Sequence, residues 1–176
     1  MNDNVFDDSQ NASILIVDDE PMIRDLLEST MTSTNYHCRF AENGKMAIEL
    51  LSEREFDVVV TDIDMPVMDG IELSKIIKSN YSTDVIVMTG QIRSYQYDEI
   101  ISIGASDFVE KPFSPKEMVL RINRVLKERS LKQIAKNAHD ELKASYIDSV
   151  HRLVMAAEYK DEDTFDHILR MGQYCT

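Results

Sequence analysis

Apolar residues fall into two rhythms along this chain. Short apolar runs at Ile14 to Val17, Val58 to Thr61, Val85 to Met88 and Asp107 to Val109, with a weaker one at His37 to Phe40, read as strands. The stretches between them carry helical spacing. Met22 to Met31 has apolar pairs at 22/23, 26/27 and 30/31 just after Pro21, and Met46 to Leu51, Ile71 to Ile77 and Tyr95 to Ile103 repeat the stripe. Strands alternating with helices predict βαβ units, and nearly continuous apolar runs suit strands covered on both faces. The expected fold class is α/β, a doubly wound five-stranded parallel sheet with a C-terminal helical extension.

That extension is announced by "FSPKEM": Ser114 as cap, Pro115 at the first helical position and Glu117 to complete a capping box. Apolar residues then recur at 118, 122, 125, 131, 134/135, 138, 142, 146, 150, 153 and 157, with no Gly or Pro before Gly172. The pattern predicts a helix of over 40 residues, and any break should fall near Glu128-Arg129-Ser130. A rod of that length cannot bury its stripe on a compact domain. A partner helix from a second copy, hence a homodimer, is expected; the alternative is two or three helices folded back as a bundle. The division is a domain over residues 12–129 and a helical segment over 130–176.

Composition narrows the partners. With 43% apolar and 29% charged residues, the 176-residue chain is globular, and 32 acids against 19 bases give a net charge of −13. Such a charge repels phosphate backbones and anionic lipid, so direct nucleic-acid or membrane binding is not expected. Residues 1–129 hold 24 acids against 13 bases, and residues 130–176 hold 8 against 6, so a cation site belongs in the first part. The cysteines Cys38 and Cys175 make no disulfide framework, the acidic start "MNDNVFDDSQN" is no signal peptide, and no apolar run approaches the ~20 residues of a membrane span. The expected location is the cytoplasm.

The polar residues placed on this scheme gather at one edge. "ILIVDDEP" ends the first strand on Asp18 and Asp19, "VVVTDIDMPVMDG" ends the third on Asp62 with Asp64 close behind, "VIVMTG" ends the fourth on Thr89, and "FVEKPF" follows the fifth with Lys111. Ligands bind at the carboxyl edge of open parallel sheets. Three carboxylates meeting there repel one another unless a cation sits among them, and Mg²⁺, held by carboxylates, waters and a phosphate, fits. By itself Asp62 reads as a phosphoryl acceptor, as a phosphatase nucleophile or as a helix cap. Asp69 is most simply a cap, and Asp18-Asp19 alone could be an acidic helix start.

Taken together, "ILIVDDEP", "TDIDMPVMDG", "MTG" and "GASDFVEKPF" resemble the receiver domain of bacterial two-component response regulators, from Ala12 to about Arg129. The resemblance implies a flavodoxin-like sheet of order 2-1-3-4-5 and phosphorylation of Asp62 by a sensor histidine kinase. It implies that Asp19, Asp62 and the Asp64 backbone carbonyl hold Mg²⁺, that Asp18 acts through water, and that Lys111 neutralises the phosphoryl oxygens. Thr89 and Phe108 resemble the family's switch pair, Lys111-Pro112 would be cis, and Asp64 and Gln91 lie where the family tunes acyl-phosphate lifetime. Two rivals remain. "VVVTDIDM" also suits a haloacid-dehalogenase-like phosphatase with Asp62 as nucleophile and Asp64 as acid, although that family places its nucleophile strand first. A pseudo-receiver, a binding module never phosphorylated, is the other.

The segment "AAEYKDEDTFDHILRMGQYC" resembles the opening of HD-GYP-type cyclic di-GMP phosphodiesterases, with His167 and Arg170 matching an H-x-x-R element and Asp163 four positions before His167. Two such residues do not make a metal site, and His139-Asp140 lies upstream as a coincidence. The expectation is a receiver, a signalling helix and the first turns of an output domain, with no phosphodiesterase activity in this chain.

Overall fold

The computed structural model describes residues 12–32, 34–90 and 104–173, with the backbone alone for 157–173. The expected strands all form, each longer than its apolar run by a residue or two: β1 (Ser13–Val17), β2 (His37–Ala41), β3 (Val58–Asp62), β4 (Asp84–Thr89) and β5 (Asp107–Glu110). Between them lie α1 (Pro21–Met31), α2 (Gly44–Glu53) and α3 (Gly70–Asn80), and α4 (Pro115–Gln173) follows β5. The helix expected at Tyr95 to Ile103, and Gln91, lie outside the described residues.

All four strand pairings are parallel, and the order is β2-β1-β3-β4-β5. Successive side chains of a strand point to opposite faces. Accordingly Leu15, Val17, Val59, Val85 and Val87 pack with Ala47, Leu51, Leu73 and Ile77 of α2 and α3. Ile14, Ile16, Val60, Ile86, Met88 and Val109 pack with Leu27 and Met31 of α1 and with Met118 and Ile122 of α4. Both faces of the sheet are covered, which is why β3 is buried at every position. In the inner strands β1, β3 and β4 polar groups can therefore reach solvent only where a strand ends.

The chain divides into two units, Met1–Ser130 and Leu131–Thr176. α4 is a single helix through Glu128-Arg129-Ser130, the long helix that the uninterrupted pattern predicts. Its start differs in one detail. Ser114 Oγ accepts from Glu117 N at 3.2 Å as a cap should, but the Glu117 carboxylate accepts from Arg121 one turn on, at 3.0 Å, and does not close the box. An ion pair to a guanidinium outcompetes a bond back to a neutral amide. Among the described residues no helix is long and apolar enough to cross a membrane.

Candidate functional site

The carboxyl ends of β1, β3 and β5 meet. Asp18 follows β1 fully buried, its Oδ1 accepting from Glu20 N at 2.9 Å while its own N–H donates to Ala41 O. The parallel register pairs Val17 with Thr61, so Asp18 and Asp62 end adjacent strands at one level. Asp62 is 6% exposed. Lys111 follows β5, and its Nζ lies 3.0 Å from Asp18 Oδ2 and 3.1 Å from Asp62 Oδ2, with Glu20 Oε1 at 3.9 Å. The Lys111-Pro112 peptide is cis, and Lys111 N donates to Thr89 O at 2.7 Å, tying the ends of β4 and β5 together.

Asp18, Asp19 and Asp62 each offer an oxygen within 4.8 Å of the others. Two of these acids are buried and Asp19 is exposed, which leaves one side open to solvent. Burial pushes the Asp62 carboxyl up to about 6; Lys111 pulls it back and Asp18 pushes it further up. Burial alone would lower Lys111, but its contacts with Asp18 and Asp62 outweigh that and the ammonium is held above its ordinary value. Asp18 and Asp62 thus face one firmly charged ammonium with Asp19 beside them, an excess of negative charge in a half-dry pocket. All-oxygen donors with one exposed member suit a hard divalent cation, so the residues present fit Mg²⁺.

Other expected residues fall as follows. Thr89 is buried at the end of β4, Phe108 is half-buried on β5, and Asp64 is exposed on the connection from β3 to α3. The Phe108 ring packs against the core beneath α2 and α3, and the Arg121 guanidinium of α4 lies 5.9 Å from its centroid. Asp69 is the N-cap of α3, accepting from Glu72 N at 2.7 Å. Gly70 sits so close to β3 that a Cβ there would stand 2.0 Å from Asp62 O. Val67, on the same connection, has φ 73, a left-handed conformation rare for a β-branched residue.

Sequence reasoning missed Arg24, whose Nη1 donates to Asp18 O at 2.6 Å and whose Nη2 reaches Glu42 at 3.4 Å, locking the acidic corner from outside. A basic residue in the first turn of a helix, where the dipole disfavours it, was the available signal. Also missed was Asp107, buried with Arg121 at 3.1 Å and Arg124 at 2.7 Å.

Against known families, residues 14–123 match the response regulator receiver domain. The chain belongs to the response regulator receiver family. It is 36% identical over 125 residues to the transcriptional regulatory protein ResD of Bacillus subtilis, covering 71% of this chain and 52% of ResD. It is 31% identical over 147 residues to the transcriptional regulatory protein SrrA of Staphylococcus aureus, covering 80% of this chain and 61% of SrrA. The chain therefore spans between half and two thirds of the length of these relatives. Among solved structures, the receiver domain of the Francisella response regulator 1452 superposes with a TM-score of 0.64 at 32% identity, over 68% of this chain and 99% of its own. The receiver domain of an HD domain-containing protein from Pseudomonas fluorescens Pf-5 gives 0.66 at 28% identity, over 70% and 93%. The receiver fold is thus the five-stranded sheet described above, and receivers of this kind are phosphorylated by sensor histidine kinases. Membership sets aside the dehalogenase-like phosphatase.

Proposed function

We propose that this receiver takes a phosphoryl group onto Asp62 and passes its state along α4. The contact that carries the reading is Lys111 Nζ bridging Asp18 and Asp62, because it puts a fixed ammonium beside the one buried carboxylate at the end of the central strand. An Asp62 oxygen attacks the phosphorus of a phosphohistidine on the sensor kinase, the P–N bond breaks, the imidazole leaves, and an acyl phosphate remains on Asp62. Charge in such a loose transition state lies on the peripheral oxygens, so positioning and electrostatics dominate. Lys111 neutralises one of those oxygens, and the Thr89 hydroxyl meets another.

Asp19, Asp62 and the Asp64 backbone carbonyl would hold Mg²⁺, with Asp18 acting through water, and the ion supplies charge neutralisation for the incoming phosphoryl group. The new phosphoryl brings ~1.5 to 2 negative charges. Thr89 follows it, Phe108 turns into the space left, and the change biases β5 and the elements around it. The contact of Arg121 with Phe108 supports α4 as the element that feels this.

Downstream, α4 acts as a dimerising linker to a phosphohydrolase-type output module of the HD-GYP class. The resemblance of "AAEYKDEDTFDHILR" to that class supports this, as does likeness to the receiver of an HD domain-containing protein. Phosphodiesterase activity is expected to be nil in residues 1–176, and the protein works in the cytoplasm. The test is incubation with Mg²⁺ and acetyl phosphate followed by intact-mass measurement. One acid-labile phosphoryl adduct, lost in Asp62→Asn, supports the reading; no adduct makes the domain a pseudo-receiver.

A further inference from the structure

Residues 131–156 of α4 are exposed throughout, with Leu142, Tyr146 and Leu153 each 70% exposed. A helix without packing on one of its faces has little to stabilise it, and an apolar stripe of this length in water marks an interaction surface. Its repeat says what covers it. Leu131, Leu142 and Leu153 recur every eleven residues, and Ala135 to Tyr146 and Ala138 to Ser149 keep the same interval. Eleven residues in three turns is about 3.67 per turn, close to the 3.6 of an unstrained helix, so the stripe runs along one side of a nearly straight rod. Such a stripe fits a second rod with the same period.

The flanks of the stripe differ in charge. One bears Lys132, Lys136 and Lys143; the other bears Glu141 and Asp148, together with Arg152, whose charge is matched by Asp148 at 2.9 Å one turn away. In a parallel two-fold pair each flank faces the opposite flank of the partner, so lysines meet acids. An antiparallel two-fold pair would set each flank against itself, lysines against lysines.

We propose that residues 131–156 pair with the same segment of a second copy as a parallel, in-register, nearly straight two-stranded coil with Leu131, Leu142 and Leu153 at its centre. This rests on the reading of α4 as a dimerising linker and specifies its partner, direction and register. In-register pairing sets Leu142 against Leu142 and Ser149 against Ser149.

The test uses the full chain with Cys38 and Cys175 replaced by Ser and one new cysteine. Under mild oxidation Ser149→Cys on the seam forms a disulfide-linked dimer, since core positions of a parallel pair lie within disulfide reach, whereas Ala144→Cys on the far side does not. In the native background, sedimentation velocity finds a dimer, and Leu142→Glu weakens it by roughly 100-fold or more through two lost apolar contacts. A monomer at 100-fold above micromolar concentration, or equal crosslinking at 144 and 149, overturns the inference. Phosphorylation of Asp62, measured on the same samples, separates the two readings. A monomer that still takes the phosphoryl group sinks the coil alone, and a dimer that takes none sinks the phosphorylation reading while the coil stands.

Discussion

Lys111 Nζ donates to Asp18 Oδ2 at 3.0 Å across 93 positions of sequence, closing the end of the sheet with an ion pair that is nearly dry on the acid's side. Removing the ammonium leaves Asp18 and Asp62 facing each other. Lys111→Met should lower stability at pH 7.5, without divalent cation, by about 1 to 3 kcal/mol. The double variant Lys111→Met/Asp62→Asn should recover part of that loss, a coupling that urea denaturation of the four proteins measures.

Asp62 titrates against its own burial. Its carboxyl is raised to about 6, so the folded protein binds that proton more tightly than the unfolded chain, whose carboxyl lies near the ordinary value of 3.8. The stability this proton contributes is complete below the unfolded value and disappears as pH rises through about 6. In EDTA, Asp62→Asn should therefore be more stable than the parent at pH 7.5 by on the order of 3 kcal/mol, with the gap closing toward pH 4. A gap that stays constant across that window would contradict the assignment.

Divalent cation should reverse the penalty. If Asp18, Asp19 and Asp62 share an ion, Mg²⁺ at 100 times its dissociation constant stabilises the fold by about 2.7 kcal/mol. Asp19→Asn, exposed and outside the Lys111 contacts, should reduce the Mg²⁺-induced rise in melting temperature while leaving the cation-free unfolding free energy within about 0.5 kcal/mol of the parent.

Gly70→Ala should be among the most damaging single-methyl changes in the receiver. The new Cβ would stand 2.0 Å from Asp62 O, which is backbone and cannot swing away, so α3 or the end of β3 must shift. A loss of roughly 2 to 4 kcal/mol is expected by thermal denaturation, together with slower phosphorylation because Asp62 moves with its carbonyl.

Val67→Asn should act in the other direction. Val67 is exposed and held at φ 73, and Asn tolerates that region where a β-branched side chain does not. A gain of about 1 kcal/mol is expected in chemical denaturation, and unchanged stability would show that the loop is not strained at this residue.

Much of the fold was legible because its signals are local. A β-branched run such as Val58 to Thr61, with strand-breaking residues behind it, identifies a buried strand without reference to the rest of the chain, and five short apolar runs between helical stripes leave few arrangements. The cap Asp69 was legible for the same reason, since its bond to Glu72 N spans a single turn. The capping box at Ser114 failed on Glu117 because the competitor, Arg121, lies one turn further along and only rotamers decide between them. Arg24 passed unnoticed because its partners, the Asp18 carbonyl and Glu42, come together only once α1 is laid against the edge of the sheet.

By itself the sequence determined the order of strands and helices, the acids and the amine delivered to the strand ends, and the eleven-residue repeat beyond residue 130, all consequences of side-chain type and period along one chain. Tertiary structure alone decided that Lys111 bridges Asp18 and Asp62, that Asp62 is dry enough to hold its proton toward pH 6, and that Gly70 must lack a side chain. Those depend on distance and solvent access between segments far apart in sequence, and neither quantity exists until the parallel sheet has brought its strand ends together.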